Sequence, residues 1–464
     1  MGFWRLDHPD TNPALIDGAT GQGLTYGGLR RRVDAWAGRL GASRKPLVFL
    51  LADNSADAVA AYLSALTAGA AVALLPAGVP PDLLASLIDA YRPDRIAGPA
   101  IPALGGDYED QDRLGTLTLL ARRRPPEGPD PHADLALVLP TSGTTGSRKF
   151  VRLSHRNLRA NAGAIAAYLA LTPAERPITT LPMAYSYGLS VINSHLLAGG
   201  TLLLTGDSPM QRPFWDLMRD GRATSLAGVP YTYRMLARLG LDRRELPALR
   251  TLTQAGGALE APLAARFAAM ADARGWRFFV MYGQTEATAR IAYVPPERLK
   301  DKIGAIGIPI PGGALSLDPE TQELIYQGPN VMMGYAEGRD DLARGDELGG
   351  CLRTGDLATV DGDGFYRLTG RLKRFVKLFG LRINLDDVER DLAADGGAAL
   401  ACVGDDTGIR VVVEGSGPAS ASLAARLAER YRLHPSVVCV DSIASLPRLD
   451  SGKVDYAALS AGRS

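Results

Sequence analysis

The chain of 464 residues has the length for one large layered domain with a smaller one beside it. Its 51 Lys plus Arg against 50 Asp plus Glu exclude both the basic footprint of a nucleic-acid binder and the acidic excess of a disordered chain. Three widely spaced cysteines (Cys351, Cys402, Cys439) suit a reducing compartment without a disulfide frame, and the five histidines show no metal spacing, so function has to come from sites.

Met1 to Asp7 lacks a signal peptide's apolar core, and Leu6 stands where a myristoylation signal needs Ser or Thr. The expectation is a cytoplasmic protein. From Pro46 to Pro99 the pattern alternates: strand Pro46 to Leu51, helix from Ala56, strand near Val72, helix from Asp82, strand Arg95 to Gly98. Ala58 to Pro81 carries no charge, but Tyr62, Ser64, Thr67, Gly69 and Pro76 split it into a helix, a turn and a strand, so no membrane span is expected. Pro102 to Asp134, polar and proline-rich, reads as a surface crossing.

Leu139 to Lys149 then follows an apolar strand, Leu135 to Leu139, and precedes a helix opening near Ser154. Its Thr141, Ser142, Gly143, Thr144, Thr145, Gly146 and Lys149 make a flexible, donor-rich turn whose backbone N–H groups can converge on phosphate oxygens. It is not a Walker loop, which requires four residues between its glycines, and a Ser/Thr/Gly cluster is by default only a surface loop. Alternation resumes with helix Arg156 to Leu169, strand Ile178 to Leu181, helix Leu189 to Leu197 and strand Thr201 to Leu204. Strand Thr224 to Ala227, helix Pro230 to Leu239, strand Arg250 to Gln254, helix Ala261 to Arg274 and strand Arg277 to Met281 follow. This predicts a second doubly wound sheet, with Thr141, Gln254 and Tyr282 on one rim beyond strand ends, where such sheets bind ligands. Short strands at Ala314 to Leu317, Glu323 to Tyr326 and Gly364 to Leu368 suggest a small barrel-like part, and a boundary falls at Leu372 or Lys373.

Four further stretches carry chemistry. Gly256, Gly257 and Ala258 end a strand with glycines that let a planar base approach the backbone. Tyr282, Gly283, Gln284, Thr285 and Glu286 supply a stacking ring, a hydroxyl and a carboxylate able to hold magnesium. Asp356, in a predicted turn after Arg353, can accept from ribose hydroxyls, and Lys453 is a cation on a glycine-bearing loop. Singly, Glu286 reads as a helix-start carboxylate, Asp356 as a turn aspartate and Lys453 as a solvated lysine.

Together and in this order, the set resembles the adenylate-forming superfamily of acyl-CoA synthetases, luciferase-like enzymes and peptide-synthetase adenylation domains. Gly328 to Tyr335 resembles the family's turn before the aspartate. The resemblance implies an α/β domain at 1–372, built of two doubly wound sheets and the barrel-like part. A small mobile α+β domain would follow at 373–464. It implies an ATP-dependent acid–thiol ligase that forms acyl-AMP and pyrophosphate, then passes the acyl group to the thiol of CoA or a carrier protein's phosphopantetheine. Thr144, Thr145, Lys149 and magnesium at Glu286 would offset phosphate charge; Lys453 would bridge acid and nucleotide. Arg371 would contact ribose or phosphate, Lys373 would be the hinge and Gly380 would face the thiol tunnel.

Arg148 stands where the family usually has proline, and Lys373-Arg374 replaces its commoner acidic pair. Arg374, Lys377 and Arg382 are candidates for the 3′-phosphate of CoA. The acyl pocket implied is Tyr185, Ser186, Tyr187, Ser190, Gly228, Tyr231 and Ala289. Tyr185 replaces the family's pocket histidine, and Ser186 stands where amino-acid-activating relatives place aspartate for the ammonium group. A neutral serine favours a plain carboxylic acid. The alternatives are a free-standing amino-acid-adenylating enzyme that loads a peptidyl carrier, and a nucleotide-binding protein without catalysis.

Overall fold

The structure, a computed structural model, describes residues 2–41, 43–102, 104, 106–140, 149–372, 374–378, 381–393, 399–405, 407–415, 420–431, 433–449 and 452–461. It divides into two compact units, the first comprising Met1–Ser142, Gly146–Ala314 and Tyr326–Leu352, and the second containing Leu315–Ile325 and Arg353–Ser464.

In the first unit, Leu47–Ala52, Ala71–Pro76 and Leu135–Pro140 are apolar almost without interruption because parallel strands covered on both faces bury every side chain. With Arg95–Gly98 they form the parallel centre of an eight-stranded sheet. Ser55 caps the intervening helix Ala56–Thr67 by accepting from the Ala58 N–H at 3.2 Å, and Gly69, at φ +73°, turns the chain into the next strand. No helix among the described residues is long and apolar enough to cross a membrane. The supposed crossing at Pro102 to Asp134 instead contains an antiparallel pair, Tyr108–Leu114 and Leu117–Arg122, at the edge of this sheet. Its Glu109 to Arg113 face solvent, as edge strands require, and so hide the strand pattern.

The nine-stranded sheet has Arg277–Tyr282, Thr251–Gln254, Ser225–Gly228, Pro177–Ile178 and Leu202–Leu204 in parallel, in that order. Pro13–Asp17, which the sequence pattern missed, joins it from the N-terminus by pairing Leu15 with Leu202. This layout corrects the single-rim expectation. Gln254 and Tyr282 end neighbouring strands, but Leu135–Pro140, which leads to Thr141, belongs to the other sheet. A second correction concerns the loop beyond it. Phe150–Ser154 is a strand antiparallel to Leu135–Pro140, so the Gly/Ser/Thr stretch joins two strands rather than a strand and a helix. The helix His155–Tyr168 begins only after that strand, under a capping box of Ser154 and Asn157.

In the second unit, Cys351–Val360 pairs antiparallel with Tyr366–Arg371 in a four-stranded sheet shared with Ala314–Leu317 and Glu323–Gln327. Asp356 therefore lies inside a strand, not in a turn; Gly355, at φ +73°, and an irregular register after Leu357 gave the segment its turn-like composition. The hairpin Phe375–Leu378 and Leu381–Asn384 follows. Leu400–Asp405, Gly408–Glu414 and Val438–Ile443 then form a three-stranded sheet, with helix Leu385–Ala393 before it, Ser420–Arg430 between its last two strands and Tyr456–Ala461 after it.

Candidate active site

Gly228, Gln254 and Tyr282 are the last residues of three adjacent parallel strands, with Gly228 level with Gln254 and Gln254 level with Val280. The buried Gln254 amide donates to the carbonyls of Gly257, at 2.9 Å, and Ala255, at 3.2 Å, which fixes the turn through Gly256. Gly256 has φ +83°, and a Cβ there would come within 2.8 Å of the Tyr185 hydroxyl. Gly257 and Ala258 leave this turn exposed, a backbone edge that a flat base can meet.

Beyond Tyr282 the chain makes a tight return. A side chain at Gly283 would overlap the carbonyl oxygen of Ala289, so only glycine lets the two backbones pass. Gln284 donates to the Tyr282 hydroxyl at 3.0 Å, and Thr285–Ala287 forms one 3-10 turn that presents Glu286. Asn330 ties this return down by donating to the carbonyls of Ala287 at 2.8 Å and Arg290 at 2.9 Å. The Met332 N–H donates to the Glu286 carbonyl at 2.8 Å.

Tyr335 connects the two predicted charge-handling residues of this unit. Its strand, Gly334–Ala336, pairs with Phe150–Ser154 and places Tyr335 opposite Val151, two residues beyond Lys149. The Lys149 ammonium lies 3.7 Å from the centre of the Tyr335 ring, and the Tyr335 hydroxyl donates to Glu286 Oε1 at 3.0 Å. Burial, with Glu286 adding to it, pushes the phenol pKa well above the usual tyrosine value, so the hydroxyl remains a donor. The sequence offered Tyr335 only as the end of a turn. A tyrosine after Gly334, close to a buried strand, was the available signal.

Around the predicted acyl pocket, Ser186 shares a hydrogen bond of 3.2 Å with Thr285, joining the start of helix Ser186–Ala198 to the Glu286 return. Tyr187 donates to the Thr253 carbonyl at 2.8 Å, and Ser190 donates to the Tyr187 carbonyl at 2.7 Å. Tyr185 is half-buried and its phenol is pushed up by burial. Gly228 and Ala289 are buried, whereas Tyr231, on the first turn of helix Pro230–Arg238, is 57% exposed.

In the second unit, Arg371 pairs opposite Asp356 across the sheet and its Nε meets the Asp356 carboxylate at 3.0 Å. Lys453 sits on a closed loop: the Leu449 N–H donates to the Lys453 carbonyl at 2.8 Å, the Gly452 N–H to the Leu449 carbonyl at 2.7 Å, and Arg448 bridges to Val454. Arg374 is already committed, bonded to Asp386, to Glu389 at 2.8 Å and to the Cys402 carbonyl at 2.7 Å. It is therefore a structural hub rather than a free phosphate contact. The side chains of Lys377 and Arg382, and the residues Thr141, Ser142, Gly143, Thr144, Thr145, Gly146, Arg148, Lys373 and Gly380, lie outside what is described.

The described residues hold no cluster of three or more metal-ligating side chains. Magnesium needs none, because it is commonly held by one carboxylate and the oxygens of substrate phosphates. Glu286 fits that use: one oxygen takes the Tyr335 hydrogen bond and the carboxylate stands half-exposed.

Known proteins resemble this chain in sequence and in fold. The profile of the AMP-binding enzyme family matches residues 4–336. Feruloyl-CoA synthase of Amycolatopsis sp. is 32% identical over 354 residues, covering 71% of this chain and 70% of its own length. ATP-bound MatB from Rhodopseudomonas palustris shares 25% identity and a TM-score of 0.74, covering 99% of this chain and 98% of its own. O-succinylbenzoate coenzyme A synthetase from Bacillus subtilis, in complex with AMP, has the same fold, with a TM-score of 0.77 at 21% identity over 99% of this chain and 98% of its own. A parallel-sheet rim ending in Gly228, Gln254 and Tyr282, with Lys149 and Glu286 joined through Tyr335, accompanies a profile match over most of the length: the chain belongs to the AMP-binding enzyme family.

Proposed function

We propose that this AMP-forming acid–thiol ligase activates a plain carboxylic acid with ATP and transfers the acyl group to the thiol of free CoA. The alignment of Lys149, Tyr335 and Glu286 is the observation that carries the reading. It holds a cation and a carboxylate side by side where a nucleotide's phosphates and their counter-ion need both. Ser186 supports the plain acid: its hydroxyl is engaged with Thr285, and a buried serine offers an ammonium group no counter-charge. The likeness to feruloyl-CoA synthase supports CoA as acceptor.

In the first step an oxygen of the acid attacks the α-phosphorus of ATP and the bond to the β,γ-diphosphate breaks, giving acyl-AMP and pyrophosphate. The acid is ionised near neutral pH and needs no general base. The cost of bringing anion to anion is offset by Lys149, Thr144, Thr145 and the N–H groups of residues 141–146, with Lys453 bridging acid and nucleotide. Glu286 would hold a magnesium ion, which would supply further neutralisation of phosphate charge. Tyr282 stacks on the adenine against the Gly256 to Ala258 turn, and Asp356 accepts from the ribose hydroxyls while Arg371 orients it. In the second step the CoA sulfur attacks the acyl carbon, AMP leaves and its phosphate takes back the electron pair. The hinge role of Lys373 and the thiol-tunnel role of Gly380, both outside the described residues, belong to the same proposal.

Pyrophosphate exchange over fatty, aryl, hydroxy and amino acids, each then offered CoA or a phosphopantetheinylated carrier, tests this. Exchange with a non-amino acid followed by a CoA thioester is expected. Exchange confined to amino acids, or thioester only on the carrier, overturns the acid or the acceptor respectively. Lys453→Ala should lose exchange by at least about 100-fold while ATP still binds. Unchanged exchange would remove Lys453 from the mechanism.

A further inference from the structure

Three arginines are buried among the described residues, and two of them have a carboxylate. Arg152, 0% exposed, is bonded to Glu347, and Arg339, 1% exposed, meets Asp94 at 3.2 Å. Arg290 is 2% exposed and, among the described residues, has no acidic partner within ion-pair distance. Its guanidinium lies 4.0 Å from the centre of the Tyr187 ring and beside the Tyr168 hydroxyl. It donates to the carbonyl of its neighbour Ala289, at 3.4 Å, and to the Tyr168 hydroxyl, while its Nε has no hydrogen-bond partner. A guanidinium cannot shed its charge, and one buried without a counter-ion is costly unless something else supplies the anion.

Arg290 lines a narrow cavity of about 20 Å³ between helix Ser186–Ala198 and the nine-stranded sheet, together with Ser190, Ser194, His195, Thr253 and Met281. Ser190, which lines the cavity, and Tyr187, against whose ring the guanidinium packs, both belong to the predicted acyl pocket, so Arg290 borders that pocket's residues. A second unpartnered atom lines the cavity. His195 is buried, donates from Nδ1 to the Val191 carbonyl at 2.8 Å, and has no partner at Nε2. An apolar acyl tail would leave the Arg290 Nε unsatisfied, whereas a small anionic end group satisfies the cation with charge-assisted bonds; His195 Nε2, an acceptor while Nδ1 donates, takes no part in that pairing.

We propose that Arg290 is the specificity residue of the acyl pocket and selects a dicarboxylic acid, its second carboxylate pairing with the guanidinium while the first is adenylated. The inference rests on the ligase reading above. The reacting carboxylate and the distal one are distinguished by chemistry: only the distal one is lost when the substrate is a half-amide.

The test is pyrophosphate exchange with the full-length protein at saturating ATP, over aliphatic and aryl dicarboxylic acids, each beside its half-amide. The diacid should be preferred by about 100-fold or more in kcat/KM, as expected where an unpaired buried polar group rejects the wrong substrate. Arg290→Gln should erase that preference mainly by raising KM for the diacid, leaving the half-amide and the KM for ATP within about threefold, and Arg290→Lys should restore part of it. Wild-type preference for half-amides or plain monoacids overturns the proposal without touching the ligase reading, and needs no variant to fold. An equal loss on diacid and half-amide in Arg290→Gln also overturns it, because Arg290 would then serve the reacting end. Exchange with no acid at all overturns both readings.

Discussion

A single hydroxyl links the cation and the carboxylate that the candidate site needs, and its removal separates two functions of Tyr335. Tyr335→Phe keeps the ring under Lys149 but withdraws the donor from Glu286. Because Glu286 is half-exposed, water replaces part of the lost bond, and a cost of about 1 kcal/mol, near fivefold in rate, is expected. The magnesium concentration giving half-maximal exchange should shift, since Glu286 is then free to rotate, while thermal stability changes little. Tyr335→Leu, which also removes the ring, should lose more and should weaken ATP binding through Lys149. Indistinguishable magnesium curves for wild type and Tyr335→Phe would reduce the hydroxyl to packing.

The elements around the site owe their precision to one crossing, where the return after Tyr282 passes the backbone at Ala289 with no room for a methyl group. Gly283→Ala must push these segments apart, and with them the 3-10 turn bearing Glu286 and the Asn330 bonds that brace it. We expect a loss of about 3 kcal/mol in denaturant unfolding together with near-complete loss of exchange. Exchange retained at wild-type level would show that the crossing relaxes. The sequence disclosed the elements whose faces are uniform: Leu47–Ala52 is buried at every residue and Arg95–Gly98 nearly so, and both runs are apolar enough to read as strands. It concealed Phe150–Ser154 because Arg152 interrupts the run, and that arginine is satisfied by Glu347 and by the carbonyls of Tyr335 and Gly345, all far along the chain. It misread Asp356 because Gly355 and Asp356 have the composition of a turn, while the strand there is imposed by the partner Tyr366–Arg371. The motif residues Gly256, Tyr282 and Glu286 were legible by type and order. The link through Tyr335 was not, since Glu286 and Tyr335 are 49 positions apart and no local period relates them.

At the scale of the whole molecule, the buried side chains fall into separate cores. One set, containing Leu50, Leu137 and Ile192, belongs to the first unit, and another, containing Val388, Val411 and Leu427, belongs to the second. Such units can unfold independently, so one stability value need not describe the chain. Two perturbations should therefore act on different transitions. In the first unit, burial depresses His195 from 6.5 to about 4, with its bond to Val191 and the charge of Glu175 opposing only in part. The unfolded chain thus takes the proton first: stability is fully present above pH 6.5 and is lost as pH falls toward 4, by about 3 kcal/mol in all. In the second unit, burial raises the pKa of Asp386 despite Arg374 beside it, so the folded state takes that proton first and acid costs nothing there. What threatens this unit is Arg374→Met, which strands Asp386 and Glu389 in a half-buried site and should cost about 3 kcal/mol at neutral pH. Calorimetry with hydrogen exchange resolved by peptide should show the transition containing His195 moving down between pH 6.5 and 4, and not in His195→Gln. Arg374→Met should lower only the transition of residues 353–464. If either change moved both regions together by the same amount, the chain would be a single cooperative unit, and the independence argued from its separate cores would be wrong.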